Sequence, residues 1–292
     1  MDKLLKNYLA LSLLALIWGS SFILMKKGLE FFSFVEVATL RIVIAFLALI
    51  PFLPRAIKNI KRKHYIPLAI TAFLGNGLPA FLFAKAQTEM DSALVGILNS
   101  AVPLFTLILG ILFFRVTVSK KNIFGIFFGF LGVIILTFNT FHEGVFTINI
   151  YVLFVILATI FYAISINVIK YYLYDLDATS IVALAFLIIF PFASIYLFNT
   201  KFIYHLQAAN LEGYKAFGYI VVLAVIGTSV ASIIFNKLLS TSSAIFASSI
   251  TYLIPIVAIF WGFFDGEIIS ISHLLGFGII IIGVYLVNKD LS

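Results

Sequence analysis

The chain has 292 residues, of which 63% are hydrophobic and 11% charged, and its 19 Lys and Arg against 12 Asp and Glu give a formal net charge of +7. A soluble domain is roughly half apolar and about a quarter charged, so a water-exposed globule is excluded and lipid must cover much of this chain. With no cysteine, disulfides, thiol catalysis and Cys-ligated metal are excluded, and basic residues that lie between apolar runs speak against a nucleic-acid surface.

A membrane-spanning helix takes about 20 mostly apolar residues. Cutting at charges and Gly/Pro/Asn clusters predicts about ten of them. The first, near 7–27, follows MDKLLK and has Gly19, Ser20 and Ser21 toward its end, as a cleaved signal would. Its apolar run continues to Met25, the length of a full span, so retention is expected. Trp18 lies in its middle. The second, near 35–54, holds Glu36 at its start and Arg41 about two turns in. The third, near 66–87, carries Gly75, Asn76, Gly77 and Pro79, then Lys85. The fourth, near 92–114, contains ILNSAVP, Ile97 to Pro103, in which Asn99, Ser100 and a proline interrupt an apolar run. The fifth lies near 121–139. The sixth, near 149–172, offers Tyr162, Ser165 and Asn167, and the seventh lies near 178–199. The eighth, near 216–240, offers Gly227, Thr228, Ser229, Ser232 and Asn236, then Lys237. The ninth, near 243–265, offers Thr251, Tyr252 and Pro255, and the tenth lies near 271–288.

Lys and Arg concentrate on the cytoplasmic side of a membrane protein. With the N-terminus inside, that side holds Lys3, Lys6, the five basic residues of RAIKNIKRKH (55–64), Arg115, Lys120, Lys121, Lys170, Lys237 and Lys289. The outer side holds Lys26, Lys27, Lys85, Lys201 and Lys215, and Arg41 remains inside a span. Both termini are therefore expected in the cytoplasm.

A shift of 152 residues lays Gly75–Pro103 over Gly227–Pro255 without a gap. Gly75 falls on Gly227, Phe83 on Phe235, Lys85 on Lys237 and Pro103 on Pro255. Further on, Gly125 falls on Gly276 and Gly132 on Gly283; earlier, Leu29 falls on Leu173. Polar and Gly/Pro positions that coincide in order point to a duplication, with repeats at 1–140 and 141–292. Five spans per repeat is an odd number, so the repeats are expected to be inverted in the membrane, as in secondary transporters with a site near the midplane.

The stretches FLFAKAQTEMDSALVGILNSAVPLFTLILGILFF and GIFFGFLGVIIL resemble the half-unit of the EamA family in the drug/metabolite transporter superfamily. So do IIFNKLLSTSSAIFASSITYLIPIVAIFWGFFDGEIIS and GFGIIIIGVYL, while LIWGSSFILMKKGL and VATLRIVIAF resemble the family's opening helices. The resemblance covers roughly 7–289. It implies ten spans and transport of small metabolites, often outward. The family usually has an acid after the fourth helix of each half; Glu267 provides one, but the first half has Arg115 there, so no role is assigned to that pair.

Proton or sodium coupling usually needs a carboxylate inside the membrane. Glu36 is the most embedded acid, and the four histidines lie near or in loops. Either coupling uses Glu36 or the protein is a facilitator or exchanger, and the second reading is preferred. An intramembrane charge such as Arg41 is a functional hypothesis, yet snorkelling outward or tying to Glu36 is the preferred reading, with a role in holding an anionic group left open. Lys85 and Lys237 serve equally as gate charges at opposite mouths or as ordinary interfacial lysines. The expected substrate cavity is formed by Trp18, Ser21, Asn76, Asn99, Pro103 and Tyr162, with Ser165, Ser229, Thr251, Tyr252 and Pro255. Small hydroxyl residues also serve as glue between membrane helices. Pro103 and Pro255 cannot donate to the carbonyls of Asn99 and Thr251; those freed acceptors suit a cavity, and a purely structural kink is the other reading.

The expectation is an all-α integral membrane protein of ten helices in two inverted five-helix repeats, in a bacterial-type plasma membrane. It would export amino acids or related amphipathic solutes by alternating access, without cofactor, metal or nucleic-acid partner; its oligomeric state is left open, with a monomer favoured. A multidrug, cation or nucleotide-like transporter is the alternative within the superfamily. Phosphorylated solutes usually need several central basic residues, and Arg41 stands alone. A membrane enzyme or a non-transporting scaffold is the alternative from another class.

Overall fold

In lipid every backbone polar group must be satisfied within the chain, which leaves apolar segments the helix as their solution. The computed structural model describes residues 3–116, 119–137, 140–142, 145–147, 150–207 and 210–288. The described chain is helical except for a hairpin of β1 (Thr140–His142) and β2 (Val145–Thr147), paired antiparallel. The expected span ends at 138–139 and 149, and Lys289, lie outside the described residues.

The first half is built from α1 (Lys3–Leu29), α2 (Phe34–Leu49), α3 (Leu53–Asn59), α4 (Tyr65–Ile70), α5 (Leu78–Ala86), α6 (Ser92–Asn99), α7 (Val102–Phe114) and α8 (Lys120–Thr137). The second follows as α9 (Tyr151–Tyr172), α10 (Ala178–Phe198), α11 (Phe202–Gln207), α12 (Leu211–Ala224), α13 (Ala231–Thr241), α14 (Ala244–Ser248), α15 (Ile254–Phe264) and α16 (Ile271–Asn288). Short polar residues start several of these helices, as orphan N-terminal amides require. Ser33 and Glu36 form a reciprocal capping box on α2, Asp177 caps α10, and Asn210 caps α12.

Among the described residues, eight helical stretches are long and apolar enough to cross a membrane: Asn7–Leu29, Phe34–Asn59, Arg62–Ala86, Ser92–Phe114, Tyr151–Tyr172, Ala178–Phe198, Leu211–Thr241 and Ala244–Phe264. α8 and α16, 18 residues each, pack along one another. A Cβ on Gly132 would stand 2.8 Å from the Gly276 carbonyl oxygen, so these two backbones approach as only small residues allow.

Two stretches depart from α geometry in the same way. A π-helical turn at Thr71–Gly77 joins α4 to α5, and another at Val225–Val230 joins α12 to α13. Such turns free backbone groups and recur at functional sites. Here side chains answer the freed carbonyls five residues back: Asn76 Nδ2 donates to Thr71 O at 3.0 Å, and Thr228 Oγ1 to Leu223 O at 3.0 Å. The spans that carry Pro103 and Pro255 are interrupted rather than merely bent. Ser100 N–H donates to Ile97 O and Ala101 N–H to Leu98 O before α7 starts; a 3-10 turn at Ser249–Tyr252 precedes α15. Pro103 and Pro255 each sit in the first turn of the new helix, where a missing N–H costs least.

Packing crosses between the halves. α1 lies against α12, α13 and α15, α9 lies against α5 and α7, and α2 lies against α10. Every one of these pairs joins an element before residue 140 to one after it.

Candidate functional site

The crossing helices enclose a cavity of about 130 Å³. α1 supplies Trp18, Ser21 and Phe22; the first π turn supplies Thr71, Gly75 and Asn76. α9 adds Tyr162 and Ser165, and the second π turn with α13 adds Gly227, Thr228, Phe235 and Asn236. Asn99 and Thr251 enter from the two interrupted spans. Aromatic pairs form the apolar wall: Trp18 against Phe235 with centroids 5.2 Å apart, and Tyr162 stacked on Phe83 at 5.7 Å. Trp18 Nε1 donates to Gly227 O at 3.0 Å, tying α1 to the second π turn.

Polar groups on this wall are unevenly satisfied. Asn236 Nδ2 donates to Ser232 O at 2.8 Å. A carbonyl only accepts, so the orientation of that amide is decided, and its buried Oδ1 has no partner. Asn99 Oδ1 is also buried without a partner. Unmade hydrogen bonds of this kind cost about 1–3 kcal/mol each, which is tolerable where a ligand or water completes them.

Arg41 is the charged side chain among the described residues that line the cavity. Its Nε donates to Thr228 Oγ1 at 2.7 Å, across to the other half, and the guanidinium also lies beside the Tyr162 hydroxyl. The expectation that it snorkels outward or ties to Glu36 is corrected by this geometry. Glu36 is occupied elsewhere: its carboxylate accepts from Ser33 N–H and Oγ at 2.9 Å and lies 3.0 Å from His205 Nδ1.

Two polar clusters close the ends of the bundle. At one end Lys26 pairs with Asp265 at 2.8 Å and Glu267 at 2.7 Å, and Lys27 pairs with Asp265 at 2.6 Å. Gly266, at φ +78°, makes the turn that points both acids at α1. The Glu267 carboxylate also accepts from Ser92 N–H, Ser92 Oγ and Ala93 N–H, so it caps α6. Burial pushes the Glu267 carboxyl up, but hydrogen bonds from Lys26, Ser92 and the Ala93 amide outweigh it and hold the group below its ordinary value. Asp265 is likewise held down by Lys26 and Lys27 against burial. At the other end Lys61 N–H donates to His64 Nδ1, which leaves Nε2 to donate to Asp175 Oδ1 at 3.0 Å. The Lys63 ammonium, 2.6 Å from Asp175, holds that carboxyl below its usual range. Lys170 there donates to the carbonyls of Leu239 and Ser242.

Of the residues expected at the site, Trp18, Ser21, Asn76, Asn99, Tyr162 and Ser165 line the cavity, as do Thr251 and Arg41. Pro103, Ser229, Tyr252 and Pro255 are not among the lining residues. Ser229 Oγ instead donates to Ala45 O of α2 at 2.9 Å. Lys85 lies over the rings of Phe34 and Tyr151, 5.0 and 5.7 Å from their centroids, and Lys237 is exposed. Sequence reasoning passed over the Lys26–Asp265–Glu267–Ser92 cluster, although all four residues stand at span ends assigned to one side. Among the described residues no group of three His, Asp or Glu could hold a metal.

Comparison with known proteins places the whole chain. The profile of the EamA-like transporter family matches residues 5–138 and again 149–289. An "Uncharacterized transporter" of Archaeoglobus fulgidus is 22% identical over 289 residues, covering 98% of this chain and 99% of its own. A solved structure described only as "Crystal structure of protein" aligns with a TM-score of 0.65 and 13% identity, over 98% of this chain and 96% of its own, and shows the fold alone.

Proposed function

Because the chain belongs to the EamA-like transporter family, it is a membrane transporter, and we propose that it exports small amphipathic metabolites, amino acids or related solutes, by alternating access around the central cavity. One observation carries this reading. The cavity is walled by elements from both halves of the chain, and its amide acceptors at Asn99 and Asn236 lack partners. Aromatic walls with a few amides and hydroxyls suit a solute that is apolar at one end and polar at the other.

The mechanism follows from ten helices arranged as two inverted repeats, with α8 and α16 as the fifth span of each. Several matched contacts support that arrangement. Trp18 meets Phe235 as Tyr162 meets Phe83. Ser21 faces Gly227 as Ser165 faces Gly75. The π turns and interrupted spans recur in the same order. In such a design each half adopts the other's shape, and the cavity opens first to one side and then to the other. Export requires the Lys26–Glu267 end, assigned here to the outside, to part while the Lys170 end closes. Both termini then lie in the cytoplasm and the membrane is a bacterial-type plasma membrane.

The test is flux. Purified protein in liposomes preloaded with unlabelled amino acids should accumulate labelled amino acid by counterflow, saturably. Folded protein that moves nothing from a broad metabolite panel would end this reading.

A further inference from the structure

We propose that the cavity is built for a solute with one carboxylate and a second group that donates hydrogen bonds, and that Arg41 is the residue that receives the carboxylate. The inference rests on reading the cavity as the transport site.

Arg41 Nε is committed to Thr228 Oγ1. Thr228 spends its own proton on Leu223 O, so its oxygen serves as a fixed acceptor that orients the guanidinium. Arg41 lines the cavity, and its guanidinium also hydrogen-bonds the Tyr162 side chain there. A guanidinium is a planar fork with more donors than these two partners use, and such a fork matches a carboxylate. Among the described residues lining the cavity there is no Asp or Glu, and Glu36 on the same helix is taken by Ser33 and His205. A cation in a membrane interior demands an anion, and here the solute supplies it. One fork takes one carboxylate, so dianionic phosphates are underserved.

The rest of the wall decides what else the solute carries. Asn99 Oδ1 and Asn236 Oδ1 are buried acceptors without donors. They call for a hydroxyl or amino group on the solute. With no carboxylate to pair an ammonium, a cation lacking its own carboxylate meets Arg41 as a like charge.

The experiment compares carboxylic acids with their primary amides. Acetate, lactate, alanine, leucine, phenylalanine and 3-phenyllactate, each beside its amide, are added to purified protein, and thermal stabilisation and competition binding are read. Acids of suitable size should bind while their amides do not. Hydroxy and amino acids should bind more tightly than the bare acid. Arg41→Gln should weaken acid binding by about ten- to a hundredfold and erase the preference over amides. Arg41→Lys, which keeps the charge and loses the fork, should fall between and serves if the Gln variant does not fold. Amides binding as well as acids, no acid binding at all, or a preference unchanged in the variant that folds would overturn the proposal. Acid-selective binding without flux in liposomes would strike the transport reading and leave this site standing. Equal flux of amides and acids would do the reverse.

Discussion

Glu267 ties three helices with one carboxylate. It pairs with Lys26 of α1, caps α6 through Ser92 and Ala93, and follows directly from α15. Because its folded value lies below the ordinary 4.5, its contribution is complete above that pH and is lost as pH falls through the depressed value. Glu267→Gln should cost about 2 kcal/mol at neutral pH, since Asp265 continues to pair with Lys26. The difference in melting temperature between variant and wild type in detergent should shrink below about pH 4.5. A pH-independent gap would show that the carboxylate's charge is irrelevant. The acid was legible in the sequence but its work was not, because Lys26 and Ser92 stand 241 and 175 positions away. Arg41 was legible as an oddity for the same reason and no further: its partner Thr228 is 187 positions distant.

The elements that matter most are those that break the helical rule. Gly75, Gly77 and Gly227 stand out in the sequence of their spans, and the stretches that hold them are π-helical. What periodicity could not show is why glycine sits at their centre. A Cβ on Gly227 would come within 2.7 Å of Ser21 Oγ on α1. Gly227→Ala should therefore cost about 1–3 kcal/mol of stability, and adding Ser21→Ala should recover most of it, because the two side chains compete for one space. Thermal unfolding of the single and double variants checks this; strictly additive losses would mean that α1 does not touch the turn there. The prolines teach a complementary lesson. From sequence, Pro103 and Pro255 read as freeing the carbonyls of Asn99 and Thr251 toward a cavity, with a structural kink as the other reading; the structure places each proline in the first turn of a new helix. A missing donor is readable from sequence, but whether the chain bends or restarts depends on the neighbours against which it packs.

For the molecule as a whole, the proposed inversion makes a sharp demand on sidedness. Glu89 and Thr241 are equivalent by the 152-residue shift, and both are exposed. Glu89→Cys should react with a membrane-impermeant maleimide from outside intact cells, and Thr241→Cys only after permeabilisation; the chain's lack of native cysteine keeps the background clean. Reaction of both from one side would refute inverted halves.

By itself the sequence determined that this chain is a helical membrane protein, because apolar runs of spanning length leave the backbone no partner but itself. The family was legible too, through motifs in both halves that resemble it, and the family's profile matches residues 5–138 and 149–289. Only the tertiary structure decided which of those residues face one another. Helix periodicity tells a residue's angle about its own axis and nothing of the helix opposite. That is why Arg41 could be noticed from the sequence, but its place at the cavity wall, held by Thr228 and with no carboxylate among the described lining residues, emerged only from packing between the halves.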